Sequence, residues 1–290
     1  MCSAPLTLNK ATHKRQDIRT TNIVPCGKCV KCKRTRQNGW SFRLEQEMKQ
    51  SQTAIMLTLT YEDQPYSKNG FPTLIKKDLQ DFWKRLRKYI KQHELYYTEI
   101  IDHEEHDIAL KYYACGEYGT NTLRPHYHAI LFNLPLALVH NSGLIAEQIW
   151  KKGHVHIAPS NTHTIFYVTK YISQPSWTPL LESDDRQPQF NTSSQDLGKN
   201  YLSPETVRYH VEGLIPYAYK NGKYIINLPR YYKDKIFSSY EKYKIRKQQE
   251  YERQINWEEF VNYDFKNEVD VYHDQIRKHE KERRLSNSKL

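Results

Sequence analysis

Residues Ala54 to Tyr61 alternate strictly. Ile55, Leu57, Leu59 and Tyr61 fall on one side and Met56, Thr58 and Thr60 on the other, which is the period of a strand with one apolar face. Upstream, from Thr35 to Gln52, Trp40, Leu44 and Met48 recur every fourth position, the spacing of an amphipathic helix whose other face carries mixed charge. Downstream, Asn69-Gly70 marks a turn and Thr73 is placed to cap a helix running to about Gln92, with Leu79, Phe82, Leu86 and Ile90 as its buried stripe. Residues 111–117 and the run Pro125 to Phe132 read as two more strands, and the Gly119 to Leu123 connection returns the chain antiparallel. Ser142 to Lys152 repeats the helical period through Leu144, Ile145 and Ile149. Gly153 ends it, and His154 to Ile157 is a short strand. The order strand, helix, strand, strand, helix, strand predicts an α+β fold. Its core is a ferredoxin-like split βαβ unit with a four-stranded antiparallel sheet, the first and third strands lying inside, and helical N- and C-terminal additions flank it.

This pattern divides the chain into four stretches. An N-terminal arm, a cysteine cluster and a helix occupy 1–52, and the core occupies 53–175. A loop and small β extension fill 176–235, with Asn221-Gly222 as a hairpin signal between Tyr217 and Leu228. A charged helical region makes up 236–290, fraying toward its end. Residues 1–25 show little periodicity and read as an extended arm, His103-Glu104-Glu105-His106 as a solvated loop, and 174–200 as a polar, flexible loop.

Charge narrows the class of partner. Lys and Arg outnumber Asp and Glu 44 to 33, a formal net charge of +11, and 23 tyrosines accompany them. Basic surface attracts polyanions while aromatic rings stack on unpaired bases, so single-stranded nucleic acid is the first partner to consider. No window is apolar enough for a membrane span and the N-terminus lacks a secretory core, which points to a cytoplasmic protein with no membrane partner.

Candidate chemistry concentrates in three places. In Arg124-Pro125-His126-Tyr127-His128, strand alternation projects His126 and His128 to the same side, and the hairpin brings Glu117 beside them as an oxygen donor for a divalent metal. His154 and His156 repeat the spacing, but on an edge strand without a neighbouring carboxylate, and so read as a decoy. From Thr164 to Ser173, Ile165, Val168 and Ile172 share one helical face while Tyr167, Lys170 and Tyr171 gather on another. Finally, Cys26, Cys29 and Cys32, with Cys2 as a fourth donor if the arm folds back, suit either a structural Zn²⁺ or reduced thiols at a helix start.

Leu57-Thr58-Leu59-Thr60-Tyr61, Gly116-Glu117-Tyr118-Gly119, Arg124-Pro125-His126-Tyr127-His128 and Tyr167-Val168-Thr169-Lys170-Tyr171 occur in that order. Together they resemble the motifs of HUH endonucleases, and most closely the rolling-circle replication initiators of gokushovirus-type microviruses, small single-stranded DNA bacteriophages. The resemblance spans roughly residues 20–235 and implies a fold, an activity and a cycle. Mn²⁺ or Mg²⁺ would sit on Glu117, His126 and His128, with Tyr167 and Tyr171 as nucleophiles and Lys170 assisting. One tyrosine would cut a strand at the phage origin and keep a 5′-phosphotyrosine link, leaving a 3′-hydroxyl for a host polymerase. The second would act when the junction is regenerated. The chain carries no phosphate-binding Gly-x-x-x-x-Gly-Lys loop, so unwinding would fall to a host helicase in the host cytoplasm. After Tyr171 the run Ile172-Ser173-Gln174 departs from the lysine-bearing endings of similar initiators. Rival readings are an HUH transposase or relaxase, and a non-enzymatic single-stranded nucleic-acid binder on the same fold.

Overall fold

A five-stranded antiparallel sheet is built from β1 (Ala54–Thr60), β2 (Lys111–Tyr118), β3 (Pro125–Phe132), β4 (Val155–Pro159) and β5 (Phe190–Ser193). Their spatial order is β4-β1-β3-β2-β5. The first four reproduce the expected split βαβ arrangement, with the first and third strands inside; β5 adds an edge beside β2. The computed structural model describes residues 2–9, 21–101, 104–119, 122–171, 181–220 and 224–260.

Register decides which side chains share a face. Thr58 stands opposite His128 in β3 and opposite His156 in β4, while His126 stands between Thr60 and Glu117 and His128 is flanked by Cys115. Residues directly opposite in antiparallel strands project to the same side.

Helices cover both faces: α1 (Val30–Gln50), α2 (Lys76–Gln92) and α3 (Thr162–Lys170). On one side Leu57, Leu59, Tyr127, Ala129 and Leu131 pack with Leu79, Phe82 and Leu86 of α2 and with Ile149 and Trp150. On the histidine side, Tyr113, Cys115, Ile130 and Phe132 pack with Leu44 of α1, Ile165 and Val168 of α3, and Leu197. A nine-residue helix is too short to persist alone, so α3 depends on this packing. Ile165 and Val168 are fully buried, and each contributes about 2 kcal/mol of apolar burial. Asn161 caps the helix reciprocally with Thr164.

Several sequence expectations are corrected. The N-terminal arm is not extended, because Leu6–Asn9 pairs antiparallel with Thr21–Val24. Helix α1 begins earlier, at Val30, and its polar side is not all solvated. Buried Glu47 pairs with Lys111 at 2.7 Å and accepts from the Gly198 amide at 2.7 Å, and Glu45 pairs with Lys220 at 3.0 Å. Thr73 does not cap α2. It accepts from the Gln187 amide at 2.9 Å, and Gln187 Oε1 in turn accepts from the Lys76 amide at 2.9 Å. The helix before β4 is a turn, Ser142–Leu144, running into a π-helical stretch, Ile145–Trp150. Glu104-Glu105-His106 is strand rather than loop, in a hairpin of Tyr97–Ile101 with Glu104–Ile108. Within 174–200, the segment from Asp184 onward is anchored at several points. Arg186 is buried and grips Asp184 through two bonds of 2.8 and 2.7 Å, and Phe190–Ser193 has joined the sheet. Asn221-Gly222, Ile172 to Pro175 and the tail after 260 lie outside the described residues.

The chain forms two compact units, the first comprising Met1–Arg208 with Tyr217–Lys233. The predicted β extension is present in it, as Tyr217–Lys220 paired with Tyr224–Asn227. The second unit comprises Tyr209–Pro216 and the residues from Asp234. In it the long helix Ser239–Phe260 is tied to Asp234 by Lys242 at 3.0 Å, and His210 is buried with Nδ1 2.7 Å from the Ile215 carbonyl. Among the described residues no helix is long and apolar enough to cross a membrane.

Candidate active site

The site sits at one end of β2 and β3. Pro125 opens β3, where no ladder amide is needed, and the Arg124 guanidinium reaches back to the Tyr61 and Glu62 carbonyls, tying the start of β3 to the end of β1. The histidines follow on one face, their rings 4.9 Å apart and nearly perpendicular. Each is oriented through its Nδ1. His126 Nδ1 lies 3.0 Å from the Arg124 carbonyl, which can only accept, so this nitrogen carries a hydrogen. His128 Nδ1 lies 3.0 Å from the Thr58 hydroxyl. Both Nε2 atoms therefore point inward, and His126 Nε2 is 2.5 Å from Glu117 Oε1. His128 Nε2 is buried, 3.2 Å from the same oxygen, and makes no hydrogen bond.

Electrostatics bind the three together. Burial works to raise the Glu117 carboxyl, but the bond from His126 and the close approach of both imidazoles outweigh it and hold its pKa at about 2. Burial likewise works to lower the His126 pKa, and the Glu117 carboxylate overrides it and raises it. With Nδ1 already donating to a carbonyl, a second proton on Nε2 makes His126 an imidazolium facing a carboxylate. A divalent cation bound here would take the place of such a proton. One ligand atom from each of Glu117, His126 and His128 lies within 4.8 Å of the others. Two inward imidazole nitrogens, an ionised carboxylate oxygen and an outer shell that fixes both rings make a donor set that fits such a cation.

The tyrosine helix faces this triad. The His128 ring centroid lies 5.4 Å from that of Tyr167 and 5.6 Å from that of Tyr171, and the two tyrosine rings are 5.5 Å apart. Lys170 Nζ sits 4.1 Å from the Tyr167 ring centre and 5.1 Å from that of Tyr171. Tyr167 is 38% exposed and adjoins Phe166, which is 48% exposed with Lys220 nearby, so aromatic surface leads up to the site. Burial first, then the Tyr167 hydroxyl and the negative Glu117, push the Tyr171 phenol above its usual range. A cation at Glu117 would cancel the last of these.

The predicted residues Glu117, His126, His128, Tyr167, Lys170 and Tyr171 thus come together in one place. His154 and His156 do not join them. Both are exposed at β4, and His156 shares the face of His128 but stands one strand farther away, beyond Thr58. Cys115 lies buried under α3, its Sγ 3.7 Å from the His128 carbonyl and 3.8 Å from the Val168 carbonyl. Sequence reasoning left out two contributors. Thr58 orients His128, and the alternation that put it on the histidine face was the available signal. The buried 2.8 Å bond between Ser41 and Thr169, which ties α1 to α3, had no local signature. Thr58→Val keeps the shape and removes the hydroxyl. We expect the Mn²⁺ dissociation constant to rise about 10- to 100-fold. An unchanged Mn²⁺ affinity would show that Thr58 does not orient the ligand.

Comparison with known proteins shows what this region is similar to. A family model described as that of the replication-associated protein ORF2 matches residues 54–176. The replication-associated protein ORF2 of Spiroplasma virus 4 is 26% identical over 223 residues, covering 72% of this chain and 66% of that protein. The replication-associated protein VP4 of Bdellovibrio phage phiMH2K is 25% identical over 228 residues, covering 72% and 66%. The replication-associated protein ORF4 of Chlamydia phage 1 is 25% identical over 231 residues, covering 73% and 53%. The chain thus spans just under two thirds of the first two relatives and about half of the third. No solved structure matches it significantly.

Proposed function

We propose, on the premise of the phage rolling-circle replication initiator that these likenesses support, that the chain nicks and rejoins one DNA strand at a replication origin through a tyrosine. The observation that carries this reading is the pair of phenols one helical turn apart, facing two inward imidazoles and a buried carboxylate. A binding module has no use for such a set, because its rings would be spent on stacking rather than turned toward metal ligands. The names of the relatives favour replication over transposition or conjugation.

Glu117, His126 and His128 would hold Mn²⁺ or Mg²⁺, which supplies Lewis-acid polarisation of the scissile phosphate. The tyrosine Oη attacks phosphorus and its proton passes to water, while the bond to the 3′ oxygen breaks and that oxygen takes a proton from water. One strand end is then a free 3′-hydroxyl and the other a 5′-phosphotyrosine. Lys170, close to both rings, stabilises whichever phenolate forms. In rejoining, a 3′-hydroxyl attacks the phosphotyrosine and the tyrosine leaves with its oxygen. One phosphodiester is exchanged for another at each step, so no nucleotide hydrolysis is needed. The second phenol allows a new cut before the first link is released. Phe166, exposed with Lys220 nearby, offers a stacking surface for an unpaired strand. The working partners in this reading are origin single-stranded DNA, a host helicase and a host polymerase, in the host cytoplasm.

Circular single-stranded DNA of the source genome, incubated with the protein and Mn²⁺, tests the reading. It predicts linear DNA carrying protein on its 5′ end in denaturant and a 3′ end that a polymerase extends. Linear DNA with a free 5′-phosphate would mean hydrolysis by water instead.

A further inference from the structure

We infer that Cys2, Cys26, Cys29 and Cys32 bind one zinc ion as a tetrahedral structural site that fastens the N-terminal hairpin to the start of α1. The inference does not depend on the DNA-cleaving reading. The pairing of Leu6 with Val24 places Cys2, four residues before one strand, against Cys26, two residues after the other. Cys29 is the residue that precedes α1 and Cys32 lies in its first turn. The four sulfurs lie within 4.8 Å of one another, from two segments far apart in sequence.

The spacing fits a single tetrahedral ion. Four sulfurs at about 2.3 Å from one tetrahedral ion stand about 3.8 Å apart, and Cys2 Sγ is 3.8 Å from Cys29 Sγ. In an iron–sulfur cluster the four thiolates are shared among two or four irons, so they cannot all stand at the spacing of one tetrahedral ion. A disulfide needs sulfurs at about 2.05 Å, and all four cysteines are free.

The backbone is arranged for thiolate. The Lys28 and Cys29 amides lie 3.4 and 3.3 Å from Cys26 Sγ, and the Cys26 amide lies 3.3 Å from Cys2 Sγ. This wrapping requires Gly27 at φ +72, a left-handed conformation that other residues adopt at a cost. Four thiolates around Zn²⁺ leave two negative charges, and Lys28, Lys31, Lys33, Arg34 and Arg36 stand within the same stretch to offset them.

The clip has a consequence farther along α1. Ser41 and Leu44 of that helix hold α3 through the Ser41–Thr169 bond and the shared core. Metal at the first turn therefore steadies the helix on which the tyrosines are carried.

The test is elemental analysis of the full-length protein purified without added metal. We expect about one zinc per chain. A mercurial that modifies the thiols should release it in step with thiol loss, a measurement on the wild-type protein that holds even if cysteine variants fail to fold. The double substitution Cys26→Ser, Cys29→Ser should cut bound zinc at least tenfold, whereas His128→Ala should leave it unchanged. Iron in place of zinc, no bound metal, zinc that survives thiol modification, or zinc lost with His128→Ala would each overturn the inference.

Discussion

Replacing both Tyr167 and Tyr171 by phenylalanine is expected to lower formation of covalent protein–DNA adduct by on the order of 10⁴-fold or more, to background. The change removes two oxygens and nothing else. Single-stranded DNA binding and thermal stability should stay close to wild type, because α3 is held by Ile165, Val168 and the Asn161 cap rather than by the phenols. Each single substitution leaves one hydroxyl facing the triad. Each should still cut once but lose the second transfer that circularises the displaced strand. Denaturing electrophoresis of end-labelled DNA reads both outcomes. Full adduct yield from the double variant would place the nucleophile elsewhere.

Chelating divalent metal, or removing one of the residues proposed to hold it, is expected to have the second large effect. Chelation should abolish cleavage reversibly, and His128→Ala should lower it by about 10²- to 10³-fold at saturating Mn²⁺, the usual scale for losing a preorganised electrostatic contact. His156→Ala is the control. It has the same residue type, spacing and sheet face, one strand beyond Thr58 and exposed, so the rate should change by no more than a few-fold. A reversed pattern, with His156 essential and His128 dispensable, would reassign the site. Acidity enters through His126. Its pKa is raised by Glu117, so its proton is retained at higher pH than in a free imidazole and must leave before metal binds. As pH falls through that elevated value the Mn²⁺ requirement should climb, and added Mn²⁺ should restore the rate.

The core was legible because its signals are local. Alternation fixed β1 and β3, the Gly119 to Leu123 turn fixed the hairpin, and together they brought Glu117 against His126 and His128. The helical period likewise turned Tyr167, Lys170 and Tyr171 away from Ile165 and Val168. What escaped were features that depend on distant partners. Glu45 and Glu47 look like solvated helix residues until Lys220, Lys111 and the Gly198 amide arrive to pair with them. Residues 181–193 have loop composition, yet Asp184 neutralises Arg186 in the interior and Phe190–Ser193 finds the open edge of β2. The Cys2 approach likewise hinged on a strand pairing too short to show in the apolar pattern.

The most direct measurement is to digest the protein–DNA adduct and identify, by mass spectrometry, the peptide that carries the 5′ nucleotide. A phosphodiester on Tyr167 or Tyr171, formed with Mn²⁺ and absent after chelation, is expected. A nucleotide on any other residue, or cleavage with no linked peptide, would contradict it.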